Sequence, residues 1–236
     1  MSTRNLLIGG GPNHPVDVWA TALSAVLEPL GVATDVYDDI EAGCAALSSS
    51  RYALLSVSTL RWRMLNSERH AAGRAQWGFS LSTAGREAIT AHLARGGPLL
   101  ALHAASISFD DWPEWGDIVG ARWVWGQSGH KPFGAMQARP CGNAHPITRG
   151  VPAFECDDEV YAGLAADPAA VPLFEARPAG DEWSPVLWAR EWHGSRVVYD
   201  ALGHSAPSLD HPAHRTLLQR AAAWALRMDS TLETIS

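Results

Sequence analysis

The chain has 236 residues, 47% hydrophobic and only 18% charged, with a formal net charge of -7 and 11 tryptophans. That length and apolar content suit one α/β domain, over residues 1–236, with a sizeable core. The acidic balance, with no Lys/Arg cluster to follow phosphates, excludes a nucleic-acid binder. Cys44, Cys141 and Cys156 form no CxxC pair, which argues against a disulfide framework and a structural zinc knuckle. No signal-peptide core follows Met1 and no apolar run approaches a membrane span, so a cytoplasmic protein without membrane contact is expected.

In chain order, Leu6-Leu7-Ile8 reads as a short buried strand ended by Gly9-Gly10-Gly11-Pro12. Val16 to Leu30 carries helical spacing with Gly31 as its stop. Thr34 to Tyr37 and Tyr52 to Val57 are the next strands. Arg61 to Trp77, with arginines and His70 between Trp62 and Trp77, reads as an inserted loop or small helix serving as a lid or interface. Ser82 is the N-cap of a helix running to Arg95, and an apolar strand starts at Pro98. Further strands are expected at Phe133–Ala138, Val171–Ala176, Pro185–Glu191 and Arg196–Tyr199, several of them antiparallel. A helix from Asp210 to Met228 closes the chain. This rhythm predicts an α/β fold, a doubly wound, mostly parallel sheet with helices on both faces.

The sequence Pro98-Leu99-Leu100-Ala101-Leu102-His103-Ala104-Ala105 carries the chemistry. An apolar strand, one reactive side chain and then small residues is the layout of a nucleophile elbow, which projects that side chain above the sheet edge. The pattern resembles class I glutamine amidotransferases, where the elbow carries cysteine in a P-x-x-G-x-C-x-G register. Here the residue is histidine, a ligand, base or acid but a poor substitute for an acyl-forming thiolate.

Further blocks follow: Trp112-Pro113-Glu114-Trp115, Gly120, His130, His145-Pro146-Ile147-Thr148, Asp158-Glu159-Val160-Tyr161 and Leu202-Gly203-His204. Together they resemble the trehalose-utilization ThuA-like family, from about residue 5 to residue 228. The departures are Ala101 where glycine is frequent, Ala121-Arg122 where a second glycine and a Phe-like position are usual, and the long Arg61–Trp77 segment. The resemblance implies a class I glutamine amidotransferase-like, flavodoxin-like fold. It also places His103 and His204 across one crevice at the carboxyl ends of the strands.

The catalytic candidates are therefore His103, His204, His130 and Glu159. His14, Asp158, Trp112, Trp115 and Trp125 are candidate substrate contacts, with Trp123 a further indole. Each has a bland alternative: a core histidine bonded to backbone for His103, a surface loop for His130, a solvated turn for Asp158 and Glu159, core packing for the tryptophans. His145 is expected to fix a turn, and His193, His211 and His214 to lie at the surface or at helix starts. The triple glycine lacks a phosphate-loop register. His103, His130 and His204 with a carboxylate admit two chemistries, ligation of a divalent metal such as zinc or metal-free acid/base work. Spacing alone leaves both open.

The expected function is action on a sugar or keto-sugar derivative, the partner being a small-molecule carbohydrate and the assembly a homo-oligomer. The alternative is a non-catalytic sugar-binding or assembly protein. Amidotransferase activity is not expected.

Overall fold

A computed structural model describes residues 3–235; the expected lead-in at Met1 and Ser2 lies outside the described residues. Nine strands form one sheet: β1 (Thr3–Gly10), β2 (Val32–Tyr37), β3 (Leu54–Thr59), β4 (Leu99–Leu102), β5 (Gly134–Pro140), β6 (Phe154–Asp158), β7 (Val171–Pro178), β8 (Ser184–Trp192) and β9 (Ser195–Asp200). Their spatial order is β2-β1-β3-β4-β9-β8-β7-β5-β6. The pairs among β2, β1, β3, β4 and β9 are all parallel, and every pair beyond β9 is antiparallel. The doubly wound parallel sheet read from the sequence is present, extended by an antiparallel half.

The parallel strands are buried almost throughout: Leu6, Leu7, Ile8, Leu54, Leu55, Val57 and Leu99 to Leu102 are inaccessible or nearly so. Strands covered on both faces read as continuous apolar runs, as these do. The covering helices are α1 (Val16–Leu27), α2 (Ile40–Ser49), α3 (Ala71–Trp77), α4 (Thr83–Ala94), α5 (Pro113–Val119), the single turn α6 (Ala206–Leu209), α7 (Pro212–Ala225) and α8 (Asp229–Thr234). The crossover from β1 to β2 and that from β2 to β3 move in opposite directions along the sheet. Right-handed connections then put α1 and α2 on opposite faces. Accordingly α1 packs with α7, and α2 with α4.

Three elements differ from expectation for identifiable reasons. The first helix ends at Leu27, and Glu28-Pro29-Leu30 continues as a 3-10 turn closed by Gly31 in the left-handed region. α2 is short and made largely of small residues, yet Asp39 caps it by accepting from the Ala42 N–H at 3.0 Å and Ile40, Cys44 and Leu47 face inward. After His103 the chain forms a 3-10 turn over His103–Ile107 in place of an α-helix start. Among the described residues no helix is long and apolar enough to cross a membrane.

The antiparallel half alternates direction strand by strand from β9, so β6 again points the same way as β9. Its carboxyl end, Asp158, meets the segment that follows β9, although three strands separate the two in sheet order. The sheet is therefore strongly curled, and register shifts around Phe174 between β7 and β8 supply local twist.

Candidate functional site

Four side chains converge at the carboxyl edge of the sheet, each delivered by the end of a strand pointing that way. His14 follows β1, His103 follows β4, His204 follows β9, and Glu159 follows β6. Each offers one ligand atom, and these atoms all lie within 4.8 Å of one another.

His103 sits at the turn itself, with φ of 45°, in the left-handed region that side chains seldom occupy. Tyr199 on β9 anchors the turn, its hydroxyl 2.8 Å from the His103 carbonyl oxygen and 2.7 Å from Ser106 Oγ. The His103 ring is 1% exposed, so the elbow points into the protein. Its Nδ1 lies 2.9 Å from the carbonyl of Ala201, and its Nε2 lies 3.1 Å from His14 Nε2, 3.1 Å from the Tyr161 hydroxyl and 3.3 Å from His204 Nδ1. His14 Nδ1 is 2.8 Å from the carbonyl of Pro12.

A carbonyl only accepts, so both Nδ1 atoms carry the proton and donate. In the neutral rings both Nε2 atoms are then bare lone pairs, and they face each other at 3.1 Å. Burial pushes His103 well below the ordinary imidazole value, and the neighbouring His14 adds to the shift. Burial lowers His14 too. Protons on these nitrogens are thus disfavoured where a positive centre would relieve the repulsion. Backbone carbonyls that orient ring N–H groups in this way are the usual outer support of metal-binding histidines.

Glu159 supplies the negative charge. Burial alone would raise its value, but the hydrogen bond with His204 and the nearby imidazoles hold it below the ordinary carboxylate range. Its Oε2 is 3.3 Å from His204 Nδ1 and 3.9 Å from His103 Nε2. The hydrogen bond to Glu159 raises His204. Asp158 does not face the centre. Its carboxylate accepts from the backbone N–H groups of Gly203 at 2.7 Å, His204 at 3.0 Å and Glu159 at 2.8 Å, which fastens the His204 loop to the Glu159 turn. Gly203 has φ of 96°, and a Cβ there would come within 2.5 Å of the Trp19 ring, so only glycine brings His204 this close.

The structure exchanges the places expected for His14 and His130. His14 belongs to the central four, whereas His130 stands at the half-exposed rim, its Nδ1 3.7 Å from Glu159 Oε1 and 2.9 Å from the Lys131 carbonyl. The sequence reads His14 as a substrate contact outside the catalytic set because a loop after a glycine run gives no spacing signal. The strand-end position was the signal available. Trp115 is 1% exposed and gives its indole N–H to the Ala105 carbonyl at 2.8 Å, and Trp112 stacks on it with centroids 5.8 Å apart. Trp123 and Trp125 are partly exposed. All four tryptophans line one cleft of about 420 Å³ beside the cluster.

Tyr161, not singled out by sequence reasoning, lies tilted against the His103 ring with centroids 4.8 Å apart. His214 is another such residue: it lies in the first turn of α7, as expected, but is fully buried against Asp200. His145 does cap its turn, accepting from the Ile147 N–H at 3.2 Å. The Arg61–Trp77 segment ends in α3 and lays Trp62 against Trp125 at 5.7 Å. Burial raises the thiols of Cys44, Cys141 and Cys156 to about 12, 11 and 12, so none is poised as a thiolate.

The profile of the ThuA family, described as trehalose utilisation, matches residues 71–225. The chain belongs to the ThuA family. Among solved structures, it is similar to a ThuA-like protein of Parabacteroides merdae ATCC 43184, with 19% identity over 96% of this chain and 90% of that one and a TM-score of 0.75. A ThuA-like protein of Bacteroides uniformis ATCC 8492 shares 15% identity over 94% and 91% of the two chains, with a TM-score of 0.69. The β-galactosidase of Rahnella sp. R3 resembles this ThuA-family chain over 31% of its own length, with 12% identity and a TM-score of 0.60. At these identities the likeness concerns the fold. No curated protein matches the chain. The ThuA match begins at residue 71, so it includes His103, Glu159 and His204 but not His14.

Proposed function

We propose that this chain is a divalent-metal-dependent enzyme acting on a carbohydrate, with the ion held by His14, His103, Glu159 and His204. The observation that carries the reading is the pair of imidazole Nε2 lone pairs facing each other at 3.1 Å, each fixed by its own Nδ1–carbonyl bond. Three imidazoles and one carboxylate suit zinc and its first-row neighbours rather than calcium or magnesium. A bound ion of this kind polarises a hydroxyl or carbonyl oxygen of the sugar.

The chain's own residues would supply the rest. Burial pushes the Tyr161 hydroxyl well above its ordinary value, so it keeps its proton and serves as a donor beside the reacting atoms. His130 donates its Nδ1–H to the Lys131 carbonyl, which leaves Nε2 as its acceptor at the open rim. That arrangement suits a base for a proton next to a sugar carbonyl. Asp158 acts indirectly, by holding the Glu159 and His204 segments in register. With histidine at the elbow and all three thiols protonated, an amidotransferase reaction has no nucleophile here.

A second reading draws on the number of donors. Four protein ligands complete the tetrahedron of a structural zinc site, and the chain would then be a metal-stabilised, non-catalytic sugar-binding protein. Elemental analysis of untagged protein tests the metal. Turnover of a keto-sugar panel, with and without chelator, separates the two readings. Protein without bound metal that cannot be loaded with zinc, manganese, cobalt or nickel would exclude both.

A further inference from the structure

We propose that Tyr161 is a positioning residue of the metal site. In the ion-free protein its hydroxyl occupies the His103 lone pair that the ion requires, and ion binding turns that hydroxyl into a donor for an incoming oxygen ligand. The proposal rests on the metal reading of the cluster. It adds a residue outside the ligand set that governs how tightly the ion is held and what enters with it.

Each donor around His103 Nε2 can be accounted for. The ring's own proton is on Nδ1, given to the Ala201 carbonyl at 2.9 Å, so Nε2 of the neutral ring carries one lone pair. His14 Nε2 brings no proton, since the His14 proton is on Nδ1, 2.8 Å from the Pro12 carbonyl. His204 Nδ1 stands 3.3 Å from the lone pair, but the Glu159 carboxylate lies at the same distance and draws that proton by its charge. The donor that remains is the Tyr161 hydroxyl, at 3.1 Å. One lone pair serves one strong partner, so the ion and the hydroxyl exclude each other.

The phenol cannot withdraw when it is displaced. Its ring is buried and sits among three others, with centroids 4.8 Å from His103, 5.3 Å from Trp123 and 5.6 Å from His130. Its backbone is paired with that of His130 in a short antiparallel ribbon. The motion left to it is rotation of the hydroxyl about its C–O bond, so the donor stays at the site.

A displaced hydroxyl needs a new acceptor. Among the described residues it makes no second hydrogen bond. The other atoms facing the same point, His14 Nε2, His204 Nδ1 and Glu159 Oε2, are the remaining ligand atoms. A buried hydroxyl left unpaired is costly, and a carboxylate or carbonyl oxygen entering beside the ion relieves that cost. Ion and oxygen ligand therefore bind cooperatively, and the ion alone binds less tightly than its donor set allows.

The test is a calorimetric titration of chelator-treated protein with zinc at one fixed pH. Tyr161→Phe, which keeps the ring and frees the lone pair, should bind zinc about tenfold tighter than the parent. A residue that merely supported the site would give the opposite sign. Tyr199→Phe is the control: its hydroxyl braces the His103 carbonyl rather than the ring, so its loss should not tighten zinc binding. Tyr161 keeps its proton throughout, so the protons released per zinc should be the same in Tyr161→Phe and the parent. With zinc bound, acetate should bind the parent about tenfold tighter than Tyr161→Phe. Equal or weaker zinc binding by Tyr161→Phe would overturn the proposal. So would tightening by Tyr199→Phe, one proton fewer released by Tyr161→Phe, or acetate binding that ignores the substitution. Should Tyr161→Phe fail to fold, the tyrosine ¹³Cζ resonances of the parent decide. The chain has 4 tyrosines; a signal that shifts on zinc binding supports the proposal, and four unmoved signals oppose it. No zinc uptake by either protein would remove the metal site and this role together, whereas uptake with unchanged affinity removes only the role of Tyr161.

Discussion

His214 and Asp200 form a buried pair directly beneath the site, Nε2 to Oδ2 at 2.8 Å with neither side chain accessible by more than 3%. The other ring nitrogen lies 3.0 Å from the Ser208 carbonyl and 3.1 Å from its hydroxyl, and the Asp200 carboxylate favours the protonated ring. The second Asp200 oxygen accepts from the Leu202 N–H at 3.0 Å. This fixes the turn whose next carbonyl neighbour, Ala201, orients His103 and whose end carries His204.

Stability should therefore depend on pH through His214. Burial alone would lower its value, but the charge and hydrogen bond of Asp200 outweigh that and raise it. A raised folded value means that the contribution is complete below the unfolded value near ~6.5 and is lost as pH rises through the folded value. Urea unfolding of the parent between acidic and alkaline pH should show this decline, and Asp200→Asn should flatten it. His214→Leu leaves a buried carboxylate unpaired, which typically costs about 3–5 kcal/mol. A His214→Leu protein as stable as the parent would refute the assignment.

Metal loading should compete with protons at His204. The hydrogen bond to Glu159 raises that imidazole, and a ligand nitrogen must be bare. Zinc uptake is thus expected to release protons, and its affinity to fall as pH drops through the raised His204 value. Isothermal titration in two buffers of different ionisation enthalpy measures the protons released. Loading at about 100 times Kd should add roughly 2.7 kcal/mol to stability, and Glu159→Ala or His14→Ala should abolish the gain. Uptake that is independent of pH and of these residues would place the ion elsewhere.

Asp158 should matter to the site without touching the ion. Burial raises its value, and three backbone N–H groups from two separate segments converge on its carboxylate. An amide at this position turns one donor toward another donor. Asp158→Asn should weaken metal binding by about 10–100-fold, the range for groups that orient ligands, while far-UV circular dichroism stays native. Unchanged metal affinity would make the carboxylate purely a folding element.

The fold was legible because the parallel strands are apolar runs punctuated by glycine, with Ser82 and Gly31 marking helix ends. The elbow was legible in Leu99 to Ala105 for the same reason. Two other features were not. His14 and His130 both lie in loops, where no periodicity ranks one above the other. Only the three-dimensional direction of β1 brings His14 into the central cluster, whereas the pairing of Gly129–His130 with Tyr161–Ala162 sets His130 at the rim. The paired carboxylates Asp158 and Glu159 read alike in sequence, yet one serves the backbone and the other the centre. His214 does lie at a helix start, but its burial was hidden because its partner, Asp200, is met only once α7 packs behind β9.

His103 gives the last expectation, and the burial of its ring changes it. The sequence suggests an exposed elbow side chain whose removal spares stability. In the structure the ring is 1% exposed and bonded through Nδ1 to Ala201, with the Tyr161 hydroxyl on Nε2. His103→Ala would leave those buried partners unsatisfied, at about 1–3 kcal/mol, and would keep a non-glycine residue at φ of 45°. Asparagine tolerates that conformation better than alanine and can still donate to the Ala201 carbonyl. The predicted order of stability is therefore parent, then His103→Asn, then His103→Ala, by denaturant midpoints at constant slope. Both variants should lose metal and fall on the order of 10²–10⁴-fold in turnover of a carbohydrate substrate. A His103→Ala protein as stable as the parent would mean that the ring is not anchored as described. One that keeps its metal and its turnover would remove His103 from the site.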